Sequence, residues 1–289
     1  MLAPKFWYPE NNEKSFSSLA LVPFGHIYSL LSKLRMSKAV KKQFDIPIVC
    51  IGNLNAGGTG KTPTTISAAE FLKDRKYNVH IVSRGYGGNA MGPLSVNDKE
   101  HSANDVGDEA LMLSAFAPTW VASNRSDGIQ SAIKEGADII LLDDGFQDPS
   151  VYKDLSILTV NAKKGFGNNR CIPAGPLREK LRNGLERADV LISIGTETSQ
   201  KTFKSIYKSY INMPLGIANL EVLNTGLSLK NMKVLAFAGI AHPENFFDTL
   251  RAQGAEIVDY QALADHQKLS SKIMKRLIVG ARAENAQLI

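Results

Sequence analysis

Residues 46–62 read IPIVCIGNLNAGGTGKT, and this stretch decides the fold. Its first six residues are almost all apolar, as expected of a strand that is buried on both faces of a parallel sheet. A glycine-rich segment and Lys61-Thr62 follow, and a helix-compatible sequence continues to about Lys73. A loop between such a strand and such a helix binds phosphate, because its backbone N–H groups converge on phosphate oxygens and the helix dipole favours negative charge.

The residues of this loop predict a site for ATP and Mg²⁺. Lys61 is expected to reach the β- and γ-phosphates, and the hydroxyl of Thr62 is expected to bind magnesium. The predicted nucleotide-binding residues are Asn55, Ala56, Gly57, Gly58, Thr59, Gly60, Lys61 and Thr62. Glycine usually occupies the first position, but asparagine tolerates left-handed dihedral angles better than most residues. The alternative, a glycine-rich turn before a chance Lys-Thr pair, is disfavoured by the flanking strand and helix.

A second strand supplies the carboxylates that such a site needs. Residues 139–144, IILLDD, are four apolar residues followed by Asp143 and Asp144. An open α/β sheet binds ligands at the carboxyl ends of its strands, which is where this pair emerges. One carboxylate is expected to hold magnesium together with Thr62 or through water, and the sequence leaves open which one.

The rest of the chain alternates strand-like and helix-like segments. Further strands are predicted at residues 79–83, 120–122, 155–160 and 190–194. This alternation predicts an α/β fold: a P-loop NTPase parallel sheet with helices on both faces. After about residue 205 the pattern changes, with extended segments at 209–213 and 215–222 and strands at 234–238 and around Ile257. We therefore predict a P-loop domain over residues 46–212 and a smaller C-terminal α/β domain over residues 213–289.

Composition narrows the classes of protein. The 289 residues suffice for two domains, and 44% hydrophobic and 21% charged residues are ordinary for a globular protein. The two cysteines, Cys50 and Cys171, exclude a disulfide framework and a cysteine zinc site, and they favour a reducing, cytosolic compartment. The formal net charge of +6 favours an anionic partner: a nucleotide, an anionic lipid surface or a nucleic acid. No stretch reaches the roughly 18 apolar residues of a spanning helix, and no secretory signal is expected.

The N-terminal segment, residues 1–45, has an uneven distribution of charge. Residues 16–32 carry no acidic or basic side chain apart from the titratable His26. Five basic residues follow them: Lys33, Arg35, Lys38, Lys41 and Lys42. Residues 6–8, Phe-Trp-Tyr, favour a membrane–water boundary. Two interpretations stay open: a helix packed on the protein's own core with a solvated basic end, or an interfacial helix whose basic cluster meets anionic headgroups.

Several short polar motifs lie where strand ends are expected to converge. They are Arg84-Gly-Tyr-Gly, Val106-Gly-Asp-Glu109, Asp143-Asp-Gly-Phe-Gln147, Gly175-Pro-Leu-Arg-Glu179, Ala238-Gly-Ile and Asp265-His266. Each alone is typical of a turn, a helix cap or an exposed charge pair. In this order, and with the Phe-Trp-Tyr segment, they resemble the tetraacyldisaccharide 4′-kinase family over nearly the whole chain, from about Phe6 to Ile289.

The resemblance implies an enzyme of lipid A biosynthesis in a Gram-negative bacterium. It implies transfer of the ATP γ-phosphate to the 4′-hydroxyl of a tetraacylated glucosamine disaccharide 1-phosphate, the lipid A disaccharide precursor. Because the acyl chains of this substrate lie in a membrane, the N-terminal helix is then expected to be interfacial, at the cytoplasmic face of the inner membrane. The chain is expected to be a monomer. No nucleic acid is expected as a partner, since the basic residues lie beside an apolar run.

The resemblance also implies roles for single residues. Asp108 is expected to be the general base for the sugar hydroxyl, and His266 to orient it or tune its pKa; the sequence alone favours a solvated turn for His266. Together with Lys61, Arg178 is expected to stabilise phosphoryl charge. Glu109 is expected to join the magnesium ligands or to cap the following helix. The expected substrate contacts are Arg84, Tyr86 and Arg125, of which Arg125 is a further candidate for stabilising phosphoryl charge.

Two departures from the family pattern and two rival interpretations stay open. Many family members have histidine where Asp148 stands, and an ionised carboxylate cannot donate a hydrogen bond to phosphate. Family members usually continue beyond Ile289, so the C-terminal domain is expected to be shortened. The rivals are a P-loop GTPase or ATPase of the chaperone type and an inactive nucleotide-binding remnant. Against the first, Ala56 stands where many dimeric ATPases of that type have an additional lysine.

Overall fold

The chain forms two compact units. A computed structural model describes residues 3–9, 15–221, 228–239, 243–263 and 269–289. The described residues from 4 to 220 form the first unit, and those from 221 to 289, with residue 3, form the second.

The first unit is built on one sheet. Its strands are β1 (Ile48–Gly52), β2 (Val79–Ser83), β3 (Leu94–Ser95), β4 (Thr119–Val121), β5 (Ile139–Asp143), β6 (Leu155–Asn161), β7 (Val190–Ile194) and β8 (Leu215–Ala218). Within the described part of this unit the strand order is β3-β4-β2-β5-β1-β6-β7-β8. Neighbouring strands are parallel except for the short antiparallel pair of β3 and β4. The predicted parallel sheet is confirmed.

Helices cover both faces of this sheet. They are α1 (Phe16–Lys38), α2 (Lys61–Asp74), α3 (Ala103–Val106), α4 (Asp108–Ser114), α5 (Arg125–Lys134), α6 (Leu181–Leu185) and α7 (Glu197–Tyr207). Alternate residues of β5 enter different buried clusters: Ile140 packs with α5, and Leu141 packs with α2 and α4. Because successive side chains of a strand point to opposite faces, the continuous apolar run of β5 fills both layers.

Helix α1 turns its small side chains toward the protein and its large apolar side chains away. Its buried residues are Ser18, Gly25 and Ser29. Ser18 Oγ donates to the carbonyl oxygen of Ala174 at 2.7 Å, and a Cβ on Gly25 would lie 2.9 Å from the carbonyl oxygen of Cys171. The exposed side chains are Phe16, Leu19, Phe24, Ile27, Tyr28, Leu30, Leu31 and Leu34. Of the described helices, none has the length and hydropathy needed to cross a bilayer.

The second unit has a smaller parallel sheet. Its elements are β9 (Lys233–Ala238), α8 (Pro243–Ala252), β10 (Glu256–Ala262), α9 (Ser271–Ala283) and β11 (Gln287–Leu288). Across the described residues of this unit the strand order is β10-β9-β11. Val234 of β9 packs in a cluster with α8, and the next residue, Leu235, packs with α9. The central strand is therefore buried on both sides.

The region around residue 213 differs from the prediction. Strand β8 pairs with β7 in the first sheet, so the division between the units falls at Glu221 and not at residue 213. The segment 209–213, predicted as extended, begins within a 3₁₀ turn at Lys208–Tyr210. The ring centroids of Tyr210 and Tyr207 lie 6.4 Å apart, so the chain after α7 stays packed against the end of that helix.

Candidate active site

The loop between β1 and α2 has the backbone form of a phosphate cradle. Gly57 and Gly60 have φ angles of 106° and 89°, which side chains rarely tolerate. A Cβ at Gly60 would lie 2.4 Å from Ile194 Cδ1, so another residue would have to displace this side chain in addition to adopting the positive φ. Asn53 Nδ2 donates to the carbonyl oxygen of Gly57 at 3.2 Å and to Thr59 Oγ1 at 2.9 Å. These two bonds fix the loop from below.

The first two loop residues have other partners than the sequence predicted. Asn55 is buried and does not have a positive φ. Its Nδ2 donates to the carbonyl oxygen of Gly165 at 3.0 Å. Tolerance of a left-handed backbone is therefore the wrong reason for asparagine here; the side chain ties the loop to a neighbouring one. The N–H of Ala56 donates to the carbonyl oxygen of Pro176 at 2.7 Å, so this N–H is committed within the protein.

Asp143, the last residue of β5, is a buried carboxylate with a high proton affinity. Its Oδ1 accepts a hydrogen bond from Thr65 Oγ1 at 3.3 Å, whereas its Oδ2 has no partner among the residues that the structure describes. Burial raises the pKa of Asp143 to about 7, with the charges of Glu109 and Asp144 acting in the same direction and Lys61 opposing them. The carboxylate at the end of β5 therefore holds its proton up to near neutral pH.

Asp144 has the opposite surroundings. Its φ of 50° turns the chain directly after β5. Arg178 Nη1 donates to its carboxylate at 2.8 and 3.0 Å, and Lys61 Nζ lies 3.8 Å from Oδ1. Burial alone would raise the pKa of Asp144, but these two cations hold it below its usual range. Asp144 is therefore a charged acceptor between the loop lysine and Arg178.

A cavity of about 570 Å³ brings together the predicted substrate contacts, three of the predicted magnesium ligands and Arg178, but not the glycine-rich loop or Asp108. All of its lining belongs to the first unit. Helix α1 contributes Tyr28, Leu31, Ser32, Arg35 and Met36, and the rest of the unit contributes Ser83, Arg84, Tyr86, Glu109, Arg125, Asp143, Asp144, Gln147, Asp148, Ile172 and Arg178. The motifs at 84–88 and 106–109 lie against each other. Their backbones are so close that a Cβ on Gly107 would lie 2.4 Å from the carbonyl oxygen of Tyr86. Asp108 precedes Glu109 at the start of α4 and is exposed. His266 lies outside the described residues.

Arg178 and Glu179 are not the exposed charge pair that their sequence predicts. Glu179 is 7% exposed and accepts from Arg187 Nη2 at 2.6 Å, while Arg178 pairs with Asp144. Gln147 Nε2 joins the two loops by donating to Glu179 Oε1 at 3.2 Å. Arg178 pairs with a residue 34 positions away and Glu179 with one eight positions away, and these partners compensate the burial of each charge.

Sequence reasoning missed several residues that support the site. Thr65 contacts Asp143, and its position one helical turn after Lys61 was a usable signal. Gln147 and Glu179 stood within quoted motifs without a role. Arg187, which holds Glu179, carries no signal in the sequence.

The fold and the site define a nucleotide-binding protein with the P-loop fold. The defining features are a buried strand, a glycine-rich loop that ends in Lys61, and two carboxylates at the end of a neighbouring strand. Residues 17–289 match the family model of tetraacyldisaccharide-1-P 4′-kinase. The chain belongs to this family and is a kinase.

Individual relatives agree with the family model. The tetraacyldisaccharide 4′-kinase of Jannaschia sp. is 47% identical over 289 residues, covering 100% of this chain and 87% of the relative. That of Dinoroseobacter shibae is 44% identical over 290 residues, covering 100% and 86%. The crystal structure of LpxK from Aquifex aeolicus in complex with ATP matches with a TM-score of 0.69 at 25% identity, over 89% of this chain and 84% of that chain. These findings support the kinase and not the chaperone-type NTPase.

Proposed function

We propose that this protein transfers the γ-phosphate of ATP to the 4′-hydroxyl of tetraacyldisaccharide 1-phosphate, a step in lipid A biosynthesis. The observation that carries the proposal is the position of Asp144, which lines a cavity together with Arg178 and α1 and pairs with both Arg178 and Lys61 of the glycine-rich loop. The loop supplies the phosphate site, and the helix supplies an apolar wall for a lipid substrate.

Lys61 and Arg178 are the cations that the transferred phosphoryl group meets. Both face Asp144, at 3.8 and 2.8 Å, and the Lys61 side chain is only 9% exposed. Fixed cations in a site with little water stabilise the charge of a phosphoryl group without reorganising. Phosphate oxygens compete with Asp144 for the same two donors.

We infer that a magnesium ion binds at the carboxylates, because Asp143 Oδ2 has no partner among the described residues. The described residues hold no preformed cluster of three His, Cys, Asp or Glu side chains, so phosphate oxygens and water would complete the ligands. Mg²⁺ prefers oxygen ligands, and we assign Thr62, Asp143, Asp144 and Glu109 as the residues that hold it. When bound, the ion neutralises charge on the β- and γ-phosphates.

Asp108 is assigned as the general base. As the 4′-oxygen bonds to the γ-phosphorus, the bond from that phosphorus to the β–γ bridging oxygen breaks and ADP leaves. The hydroxyl proton passes to the Asp108 carboxylate. The role of His266 stays a prediction. Tyr86, which is 85% exposed in the cavity wall, and Arg84 are assigned to the sugar or the nucleotide.

Helix α1 is assigned to the cytoplasmic surface of the inner membrane. Its large apolar side chains are exposed, whereas its small ones are buried. Tyr28 and Leu31 belong to the exposed set and also line the cavity. A helix inserted at the depth of the headgroups by this face would bring acyl chains to the site. We infer that the protein is peripheral and acts as a monomer.

The test is phosphate transfer from labelled ATP to the disaccharide 1-phosphate in detergent micelles with Mg²⁺. Labelled lipid that depends on both Mg²⁺ and the protein supports the proposal. Hydrolysis of ATP with no labelled lipid would overturn it and favour an NTPase. Nucleotide binding with neither product would favour an inactive nucleotide-binding protein.

Asp108→Ala tests the assignment of the base in the same assay. Turnover is expected to fall by about 10² or more, as for the loss of a general base, while ATP binding is largely kept. Asp105→Ala is the matched control, because Asp105 caps α3 three residues away and accepts from Ser102. Turnover of Asp108→Ala equal to that of this control would contradict the assignment.

A further inference from the structure

Arg125 stands where a positive charge is unfavourable. It is the first residue of α5, where the helix dipole repels cations, and it is only 6% exposed. A buried guanidinium lowers stability unless acceptors satisfy it. Its position therefore depends on specific partners.

Two acceptors hold the guanidinium. Arg125 Nη1 donates to Asp148 Oδ2 at 2.8 Å, and Nη2 donates to the backbone carbonyl oxygen of Asp144 at 2.8 Å. Asp148 is itself fixed, because its Oδ1 accepts from the N–H and the hydroxyl of Ser150 at 2.9 and 2.6 Å. Burial would raise the pKa of Asp148, but Ser150 and Arg125 hold it below its usual range, so the carboxylate is charged at neutral pH.

The second acceptor connects this pair to the reaction. Asp144 has a left-handed backbone with a φ of 50°, which non-glycine residues seldom adopt without support from their surroundings. Arg125 supplies such support at the carbonyl oxygen of this residue. The same turn points the Asp144 carboxylate at Lys61 and Arg178.

We propose that Asp148 is a positioning residue, which anchors Arg125 so that Arg125 holds the left-handed turn at Asp144 and thereby the alignment of Asp144 with Lys61 and Arg178. This role replaces a direct contact of residue 148 with phosphate, which an ionised carboxylate cannot make as a donor. The inference rests on the proposed role of Lys61 in phosphoryl transfer.

Asp148→Asn is the main test. Asparagine has the same shape and still accepts from Ser150 through its carbonyl oxygen, but the charge that pairs with Arg125 is lost. We expect kcat for lipid phosphorylation to fall about 10- to 100-fold, the range for residues that orient other site groups. The KM for the lipid is expected to change by less than about 2-fold, because an effect confined to the transition state lowers kcat and not substrate binding.

Asp189→Asn is the matched control. Asp189 is also a fixed loop carboxylate, because it accepts from the N–H of Ser156 at 2.7 Å. Unlike Asp148, it does not accept a hydrogen bond from Arg125. Its replacement is expected to lower the melting temperature with kcat unchanged. If Asp148→Asn shows only that pattern, Asp148 is structural and the inference fails.

Arg125→Lys gives a second, independent variant. Lysine keeps the positive charge but cannot donate to Asp148 and Asp144 in the planar geometry of arginine. We expect a similar loss of kcat, and a double variant with Asp148→Asn no slower than the slower single variant, because the pair acts as a unit. Losses that multiply would overturn the inference, as would an Arg125→Lys protein as active as wild type. A wild-type protein that forms no labelled lipid contradicts the proposed function instead.

Discussion

Asp143 and Asp144 are adjacent in the chain, yet one faces α2 and the other faces two cations. Burial with neighbouring carboxylates raises the pKa of the first to about 7. Lys61 and Arg178 keep the pKa of the second below its usual range, although burial acts against them. The left-handed backbone of Asp144 itself turns its side chain away from the surroundings of Asp143. Two identical side chains thus differ in proton affinity: the first binds a proton near neutral pH, and the second is a charged partner of two cations.

Removing Lys61 breaks both halves of this comparison, because its charge lowers the pKa of both carboxylates. Lys61→Ala is expected to lower the rate of phosphate transfer by about 10³, the upper range for a lost group that stabilises transition-state charge. Lys73→Ala is the control on the same helix, since Lys73 donates to the Phe116 carbonyl oxygen. The assay is labelled-phosphate transfer at saturating ATP. Rates within a factor of about 3 of each other for these two variants would contradict the assignment of Lys61.

Arg178→Ala breaks the Asp144 half alone. We expect turnover to fall by about 10², with little change in melting temperature, because the Arg178 side chain is 27% exposed and its ion pair is partly solvated. Arg182→Ala removes an exposed pair with Glu186 on the next helix and serves as the control. A loss of turnover that Arg182→Ala reproduces would mean that the site does not use Arg178.

Asp143→Asn tests the other half through pH. The unfolded pKa of an aspartate is about 3.9, and the folded value is about 7. Between these values the native state binds the extra proton, so the Asp143 contribution to stability is present at low pH and is lost as pH rises to 7. Asparagine cannot ionise. Relative to wild type, the variant is therefore expected to become more stable as pH rises from 4 to 7, by up to about 4 kcal/mol above pH 7.

Thermal melting at pH 5 and pH 8 in the presence of a chelator measures this gain. Added Mg²⁺ is expected to reduce the gain, because the ion stabilises the wild-type carboxylate and not the amide. A difference between wild type and Asp143→Asn that does not vary with pH would show that Asp143 has an ordinary pKa.

Thr65→Val is the smallest change that sharpens the comparison. It removes the 3.3 Å hydrogen bond to Asp143 and the 3.1 Å hydrogen bond to the carbonyl oxygen of Lys61, and it keeps the shape of the side chain. Because that bond lowers the pKa of Asp143, its loss is expected to raise the pH at which the Asp143 contribution disappears. The stability effect is expected to be at most about 1 kcal/mol. Thr202→Val, which loses a similar bond to a helix carbonyl in α7, is the control and leaves that pH unchanged.

The sequence predicted the sheet well because its central strands are continuous apolar runs. Val79–Ser83 and Val190–Ile194 have the predicted bounds, and β1 and β5, predicted at residues 46–51 and 138–142, are displaced by one or two residues. A continuous apolar run is typical of a strand that is buried on both faces of a parallel sheet, so the local sequence is enough to predict these strands. Strand β8 was assigned to the wrong domain, because the pairing that places it depends on β7 and not on its own residues.

The site was predictable where backbone form decides it and unpredictable where distant partners decide it. The glycines of the loop have the expected geometry, because a positive φ or a close approach demands glycine. The partner of Asn55 and the burial of Glu179 were missed, because Gly165 and Arg187 reach them only in the folded chain. The apolar face of α1 was visible in the sequence, but its small-residue contact face was not.

The loop 171–178 is attached along its whole length. Its first residues meet α1, where Gly25 and Ser18 touch the carbonyl groups of Cys171 and Ala174. Its later residues meet the phosphate-binding loop, since Pro176 accepts from Ala56. Surface loops are usually where related chains differ in length. Here an inserted or deleted residue would shift either the helix contact or Arg178, so length variation among relatives is expected to be absent from this loop and to occur in loops free of both contacts.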